Sequence, residues 1–291
     1  MKVVYGHTDS IYVKCDSVEL AKEALVEINA HVRESFPNVL GLQEHPVVLE
    51  FEKYYSSLGV GITKNRNAGL VSWEDGVWLD EPKFTMTGFT AKRISETKLA
   101  KRVQTTVLKM WINSNTKEEI DEYCRKEYLD TLDGKVGLLD IVKRSRLNEN
   151  RLKVKCSCKR KYDVVNLYKI TECKKCANPK KNFKTLEGKR PTYGSGIAGM
   201  LYAMEKLNMV FEDSYVYIKA ITDGFFTHPL TDEAKPATYI AGSKYADLEG
   251  FSPDWKHYAK QVISKAEPIY KAMDWETNNI VSNTQSLDRW W

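Results

Sequence analysis

The chain has 291 residues, 42% of them hydrophobic and 29% charged, with a formal net charge of +5. That is an ordinary soluble composition, long enough for two domains with cores of their own. No apolar run approaches the roughly 20 residues that span a bilayer, and Met1-Lys2-Val3-Val4 lacks a signal-peptide layout, so no membrane and a cytoplasmic location are expected. The charge is uneven. Residues 143–190 carry 17 of the 44 Lys and Arg but 4 of the 39 Asp and Glu, which leaves the rest of the chain net negative.

In chain order, residues 4–13 put apolar side chains on both flanks of Gly6-His7-Thr8-Asp9-Ser10. This is the layout of a β-hairpin with a carboxylate at its tip, although Asp9 alone also reads as an ordinary turn aspartate. Residues 17–36 show helical apolar spacing behind a capping Ser17, and Pro37 ends them. Residues 47–52 read as a strand, followed by 54–62. Helices are expected over 95–114 and 116–132, joined at Asn113-Ser114-Asn115, with Thr116, Glu118 and Glu119 at the second start. Two more are expected at 195–208 and 253–273, whereas 210–250 offers only a strand-like 214–218 and turn signals. The predicted class is α+β: antiparallel strands with a helix, then a mainly helical part.

Of six cysteines, Cys15 and Cys124 are isolated and read as packing residues. The others form Cys156-Ser157-Cys158 and Cys173-Lys174-Lys175-Cys176, fourteen residues apart. Paired thiolates on two knuckles suit a tetrahedral Zn²⁺ site; with all four positions filled by protein, its role is structural. Iron, or reduced cysteines without metal, are the alternatives. Residues 162–165 and 167–170 alternate like the strands of a zinc ribbon. Lys153, Lys155, Lys159, Arg160, Lys161, Lys174 and Lys175 surround the pairs. Such a surface would grip nucleic-acid phosphate, dock a partner, or be a solvated lysine-rich loop.

Tyr5-Gly6-His7-Thr8-Asp9-Ser10 resembles motif C of family B DNA polymerases, written YGDTDS, whose second Asp binds the catalytic metal. The resemblance continues in order. Leu49-Glu50-Phe51-Glu52-Lys53-Tyr54-Tyr55 is similar to a family palm strand, and residues 62–69 sit where the family touches the primer–template duplex. Residues 87–104 are similar to the segment leading from palm to thumb, with Gly88, Arg93, Leu99, Ala100, Lys101 and Gln104 on the usual positions. Residues 140–147 and 251–258 resemble later thumb landmarks, and 148–190 is the main insertion. The implied architecture is a partial polymerase palm at 1–87 and a mainly helical thumb at 88–275. A zinc ribbon is inserted at 151–184, and a tail follows at 276–291.

The resemblance makes Asp9 a ligand of Mg²⁺ or Mn²⁺, with Thr8 and His7 beside it in the catalytic turn. Nucleotidyl transfer uses two cations held by at least two convergent carboxylates. The second is carried earlier in the family than motif C, and no motif for it stands in this chain. The expectation is therefore the small subunit of a split DNA-dependent DNA polymerase. A large partner subunit would bring the exonuclease, the fingers that hold dNTP, and the other catalytic Asp. Primer–template DNA would be contacted by Lys64, Arg66, Arg93, Lys143, Arg144 and Arg146, and Glu50 or Glu52 would either support the metal site or face solvent from their strand. His7 departs from the family's Asp and removes a negative charge beside the cations, which weakens Mg²⁺ or favours Mn²⁺. Asn65-Arg66-Asn67 departs from Lys-Arg-Tyr. Leu287, Trp290 and Trp291 resemble the sliding-clamp-binding peptide of archaeal family B polymerases, with Thr284 where Gln is usual; packing back on the thumb is the alternative. Such a chain would work at a nucleoid or inside a host cell. The competing readings are a catalytically degenerate, DNA-binding accessory subunit and a zinc-ribbon transcription factor, the latter accounting only for the cysteines.

Overall fold

A computed structural model describes residues 2–6, 10–146, 152–211 and 215–281. The chain forms two compact units: Met1–Phe89 with Val107–Ile120 and Pro268–Glu276, and Thr90–Thr106 with Asp121–Glu267 and Thr277–Trp291. Among the described residues no helix is long and apolar enough to cross a membrane.

In the first unit, β1 (Lys2–Gly6) and β2 (Ile11–Lys14) pair antiparallel as a two-stranded sheet, with Tyr5 opposite Tyr12 and Gly6 opposite Ile11. Helix α1 (Val18–Ser35) starts where Leu20 donates its N–H to the Ser17 hydroxyl at 3.2 Å, the cap that the sequence predicts. Strands β3 (Lys53–Val60), β4 (Asn67–Glu74) and β5 (Val77–Thr87) form an antiparallel sheet with β4 in the centre. Alternation along the second half of β4 buries Val71 and Trp73, and Ala68, out of that phase, is buried as well. Gly59 leaves room for the Trp111 ring, since a Cβ there would lie 2.3 Å from it.

Residues 47–52 do not form the expected strand. The Asn29 side chain from α1 takes both backbone groups of Leu49, donating to its carbonyl at 2.9 Å and accepting its N–H at 2.8 Å. A side chain that satisfies both groups removes the residue from any ladder.

The second unit takes the first part of α2 (Lys98–Ile112) and most of α3 (Lys117–Leu132), then α4 (Leu138–Ile141) and β6 (Lys143–Arg146). Short strands β7 (Lys153–Lys155), β8 (Lys161–Asp163) and β9 (Lys184–Thr185) follow, and then α5 (Ser195–Leu207). Strands β10 (Tyr215–Ala220), β11 (Phe225–Thr227), β12 (Ala234–Pro236) and β13 (Tyr239–Gly242) precede α6 (Trp255–Ala272) and α7 (Asn278–Val281). The four predicted helices are thus present within a few residues of their expected ends. The unit is nevertheless not mainly helical. It holds the sheets β13-β10-β6 and β8-β7-β9 and the hairpin β11-β12.

Gln104 explains why the segment leading into α2 is shaped as it is. Its side-chain oxygen accepts from the Ala91 N–H at 2.7 Å and the Thr90 hydroxyl at 3.1 Å, while Thr97 caps α2 through the Ala100 N–H at 3.1 Å. Lys265 bonds Thr90 at 3.0 Å and pairs with Glu96 at 3.0 Å. Leu99 and Ala100 are buried.

Lys219 on β10 is 1% exposed and donates to the carbonyls of Leu248 and Phe251. Burial pulls its ammonium down from 10.5 to about 8. Between those values the unfolded chain binds a proton that the folded chain lacks, so stability rises with pH across the window. The wild type should therefore gain urea midpoint relative to Lys219→Met between about pH 8 and 10, and hold a constant difference below about pH 7.5. Equilibrium unfolding of both proteins at matched pH measures this; parallel curves throughout would contradict it.

Candidate functional site

His7, Thr8 and Asp9 lie outside the described residues, between Gly6 and Ile11, which pair at the end of the hairpin. The strands on either side are fastened to the β3–β4 connection. Tyr5 Oη accepts the Asn65 N–H at 2.9 Å, and the Asn67 amide donates to Tyr12 Oη at 3.4 Å. The rings of Tyr5 and Tyr12 lie 5.4 Å apart, and Tyr12 continues to Tyr55 at 6.0 Å. Asn65 has a left-handed φ of 64°, and the connection closes with the Gly61 N–H on the Arg66 carbonyl at 2.8 Å. Asn65 and Asn67 therefore meet the hairpin, which leaves Lys64 exposed and Arg66 half-buried against Gly61 and Gly88. Glu50 and Glu52 are exposed on the irregular segment before β3.

Among the described residues, Cys156, Cys158, Cys173 and Cys176 are the one group of three or more metal-ligating side chains that converges, with all four sulfurs within 4.8 Å of one another. The pairs Cys156–Cys176 and Cys158–Cys173 lie at 3.4 and 3.5 Å. A tetrahedral zinc with Zn–S bonds of about 2.3 Å sets its sulfurs about 3.8 Å apart, so the donor set fits that ion.

The two knuckles share one hydrogen-bonding plan. In the first, Cys156 donates to the Arg160 carbonyl and Lys159 back to the Cys156 carbonyl, both at 2.9 Å, with Lys159 at φ 68°. In the second, Cys173 donates to the Asn178 carbonyl at 2.8 Å and Ala177 to the Cys173 carbonyl at 2.9 Å, with Ala177 at φ 53°. Each turn aims N–H groups at sulfur: Cys158 at Cys156, Lys175 and Cys176 at Cys173, and Asn178 at Cys176. Tyr162 adds its hydroxyl to Cys173 at 3.2 Å, and the Asn178 amide donates to Cys156 at 3.4 Å. The Tyr162 hydroxyl is the main reason that the Cys173 thiol is held down to about 6. Cys176, despite the Asn178 N–H, is pushed up to about 12 by the neighbouring thiols. Four thiols this close do not all ionise unless a cation sits among them.

The expected ribbon strands are corrected in detail. Residues 161–163 are strand, but Val164–Lys169 is a 3₁₀ helix, and the module's sheet is completed by β9 instead. Val164 and Leu167, one 3₁₀ turn apart, are both fully buried, which decides the conformation. The module shares a hydrophobic core with Met200 and Leu201 of α5 and with Val216 and Ile218 of β10. Lys180 anchors it further: its buried ammonium donates to the Leu167 carbonyl at 3.0 Å and pairs with Asp232 at 2.6 Å.

The remaining basic candidates separate. Arg144 and Arg146 alternate outward on β6, and Arg144 stacks on Tyr215 at 4.0 Å. Lys143 faces the other way, over the Tyr239 ring at 5.3 Å, and burial lowers its affinity for a proton. Arg93 is exposed beside the Thr90–Lys92 turn. Leu287, Trp290 and Trp291 lie outside the described residues. Sequence reasoning missed Tyr162 and Asn178 as sulfur donors, and Tyr5 and Tyr12 as fasteners of the β3–β4 connection. No spacing or composition marks any of them.

A family model described as DNA polymerase family B matches residues 1–272. A DNA polymerase of Archaeoglobus fulgidus is 29% identical over 141 residues, which are 48% of this chain and 16% of that relative. The chain thus spans a small part of that relative's length.

Gly88 sets the position of the β3–β4 connection. Its φ is +76°, and a Cβ there would lie 1.9 Å from the Asn65 carbonyl oxygen. Gly88→Ala should destabilise the protein by at least about 2 kcal/mol, through combined strain and collision, as read by denaturant unfolding.

Proposed function

The chain belongs to DNA polymerase family B, and from that premise we propose that it is the small subunit of a divided DNA-dependent DNA polymerase. It contributes Asp9 and a duplex-gripping thumb to template-directed nucleotidyl transfer. The observation that carries this reading is the hairpin whose paired Gly6 and Ile11 frame the motif. An isolated two-stranded hairpin is marginal in water. This one leaves Val3 and Ile11 at 60% and 50% exposure, and α1 buries only Val18 and Ala24. Such a layer suits a surface completed by a large subunit carrying the exonuclease, the fingers and the second carboxylate.

In this reading residues 1–87 are the palm portion and 88–275 the thumb, with the zinc ribbon at 151–184. Asp9, with the partner's carboxylate, holds Mg²⁺ or Mn²⁺, and the bound cations stabilise the attacking and leaving oxygens of phosphoryl transfer. Lys64, Arg66, Arg93, Arg144 and Arg146 are assigned to the backbone of the primer–template, a role for cations that fixes register without reading sequence, whereas Lys143, turned over the Tyr239 ring, is withdrawn from that set. Thr8 and His7 complete the turn, and the incoming dNTP is gripped by the partner's fingers. Leu287, Trp290 and Trp291 are assigned to a sliding clamp, and the site of action is intracellular. The second reading, a degenerate accessory subunit, is favoured by His7, which takes the place of a carboxylate.

Primer extension with the candidate large subunit separates the two. Asp9→Ala should lower incorporation at least about a hundredfold, the scale of losing one electrostatic element of a transition state. His7→Asp should keep or raise it. Full activity in Asp9→Ala overturns the assignment, and inactivity of every form under both Mg²⁺ and Mn²⁺ favours the accessory reading.

The four thiolates are assigned to one structural Zn²⁺. The purified chain should hold one equivalent of zinc, and Co²⁺ substitution should give the intense thiolate charge-transfer bands of a tetrahedral S₄ site. Cys173→Ser should lose them, together with several kcal/mol of stability. Full thermal stability after complete chelation would refute the assignment.

A further inference from the structure

We propose that the two cysteine knuckles present a phosphate-binding face for duplex DNA, additional to the arginines of β6. It rests on the zinc reading only in so far as the metal holds the knuckles side by side.

Lys159, Arg160 and Lys161 follow the first cysteine pair, and Lys174 and Lys175 lie within the second. The sulfurs all fall within 4.8 Å, so these cations stand on adjoining turns although they are distant in sequence. All five are exposed. Among the described residues none has a carboxylate partner, whereas Lys180 and Lys189 nearby are paired with Asp232 and Glu187. Exposed cations without internal partners keep their full charge for a ligand.

Their backbone is held firmly. Both turns are closed by reciprocal hydrogen bonds, and Cys156 and Cys173 are 2% and 1% exposed in the core shared with α5 and β10. Arg160 lies over the Tyr162 ring at 5.7 Å, and Tyr162 is stacked on Phe183 at 5.1 Å. The charges are therefore displayed on a rigid support, which lowers the conformational entropy lost when they meet phosphate.

Phosphate rather than protein is the partner that the chemistry fits. A protein interface is organised around a desolvated apolar or aromatic centre and is depleted in lysine. Between residues 152 and 190, Tyr168 is the only large apolar side chain among the exposed ones, at 38%. Four of the five cations are lysines, compact point charges that neutralise phosphates without the planar fork that reads a base edge. The face should bind duplex backbone with strong salt dependence and little sequence preference.

The test is fluorescence anisotropy of the full zinc-loaded chain on a short labelled duplex, across a salt series. It compares the wild type with a variant carrying Lys159→Gln, Arg160→Gln, Lys161→Gln, Lys174→Gln and Lys175→Gln. Zinc content and circular dichroism establish that the variant is folded. The variant should bind at least about tenfold more weakly at moderate salt, and its log–log salt slope should shrink by about 3 or more, since each phosphate contact contributes about 0.9. Equal affinity and slope in a folded variant overturn the proposal and leave the zinc and polymerase readings standing. Unchanged DNA binding with weakened capture of the large subunit also overturns it, in favour of a docking face. A chain that holds no zinc yet shows the predicted loss supports the phosphate face and sinks the metal assignment. None of these readouts requires nucleotide incorporation, so loss of the catalytic reading leaves this one intact.

Discussion

Four sulfurs within 4.8 Å, two of them almost inaccessible, constrain everything around them in the second unit. N–H groups aimed at sulfur favour thiolate over thiol, yet thiolates gathered in so small a volume repel one another strongly where water is scarce. A cation among them would resolve the conflict. Lys159 and Ala177 adopt left-handed conformations that only glycine takes without cost, and such strain persists where surrounding contacts over-determine it. The shared core extends that order to α5 and β10. The sulfurs thus join the two knuckles to each other, and packing joins the insertion to the body of its unit.

The first unit presents the opposite situation. Its central strand is well buried, with Ala68 and Val71 fully covered, and the Tyr5–Tyr12–Tyr55 ladder links the hairpin to that sheet. Beyond that ladder, burial fades. Val26 on α1 is 71% exposed, and Val39 and Leu40 in the following segment are 85% and 76% exposed. Apolar side chains on one continuous stretch of chain lower the free energy only when something covers them. The tyrosine hydroxyls do a different task. They tie β1 and β2 to Asn65 and Asn67, so the two strands are held by polar contacts where packing is thin.

Legibility in the sequence followed from how local each determinant is. The helices were readable because long apolar periods and caps such as Ser17 and Thr116 act within a few residues. The cysteine pairs were readable because knuckle spacing is itself local. Strand β6 was not: Lys143-Arg144-Ser145-Arg146 has no apolar alternation, and only its ladder to β10 makes it a strand. Residues 47–52 looked like a strand and lost that role to Asn29, 20 residues before Leu49 in the chain. Tyr162 gave no sign of its bond to Cys173, because that contact exists only once the second knuckle arrives.

The basic stretch shows why a count of charges overstates a surface. Residues 143–190 hold 17 Lys and Arg, but several of these serve the fold. Lys180 is buried against Leu167 and Asp232, Lys155 donates to the Leu186 carbonyl at 2.6 Å, and Lys143 lies over Tyr239. Each buried ammonium must find carbonyls or a carboxylate, because an unpaired charge in a core costs more than the packing around it returns. What remains outward is a smaller set: Lys169, Lys181, Lys184, Lys189 and Arg190, and, on ordered backbone, Arg144 and Arg146 on alternate positions of one strand and the cations on the two knuckles. The latter are held on rigid supports, by an aromatic ring under Arg144 and by closed turns beside the sulfurs. Which cations of the stretch stay free for a ligand is therefore decided by packing, not by their number.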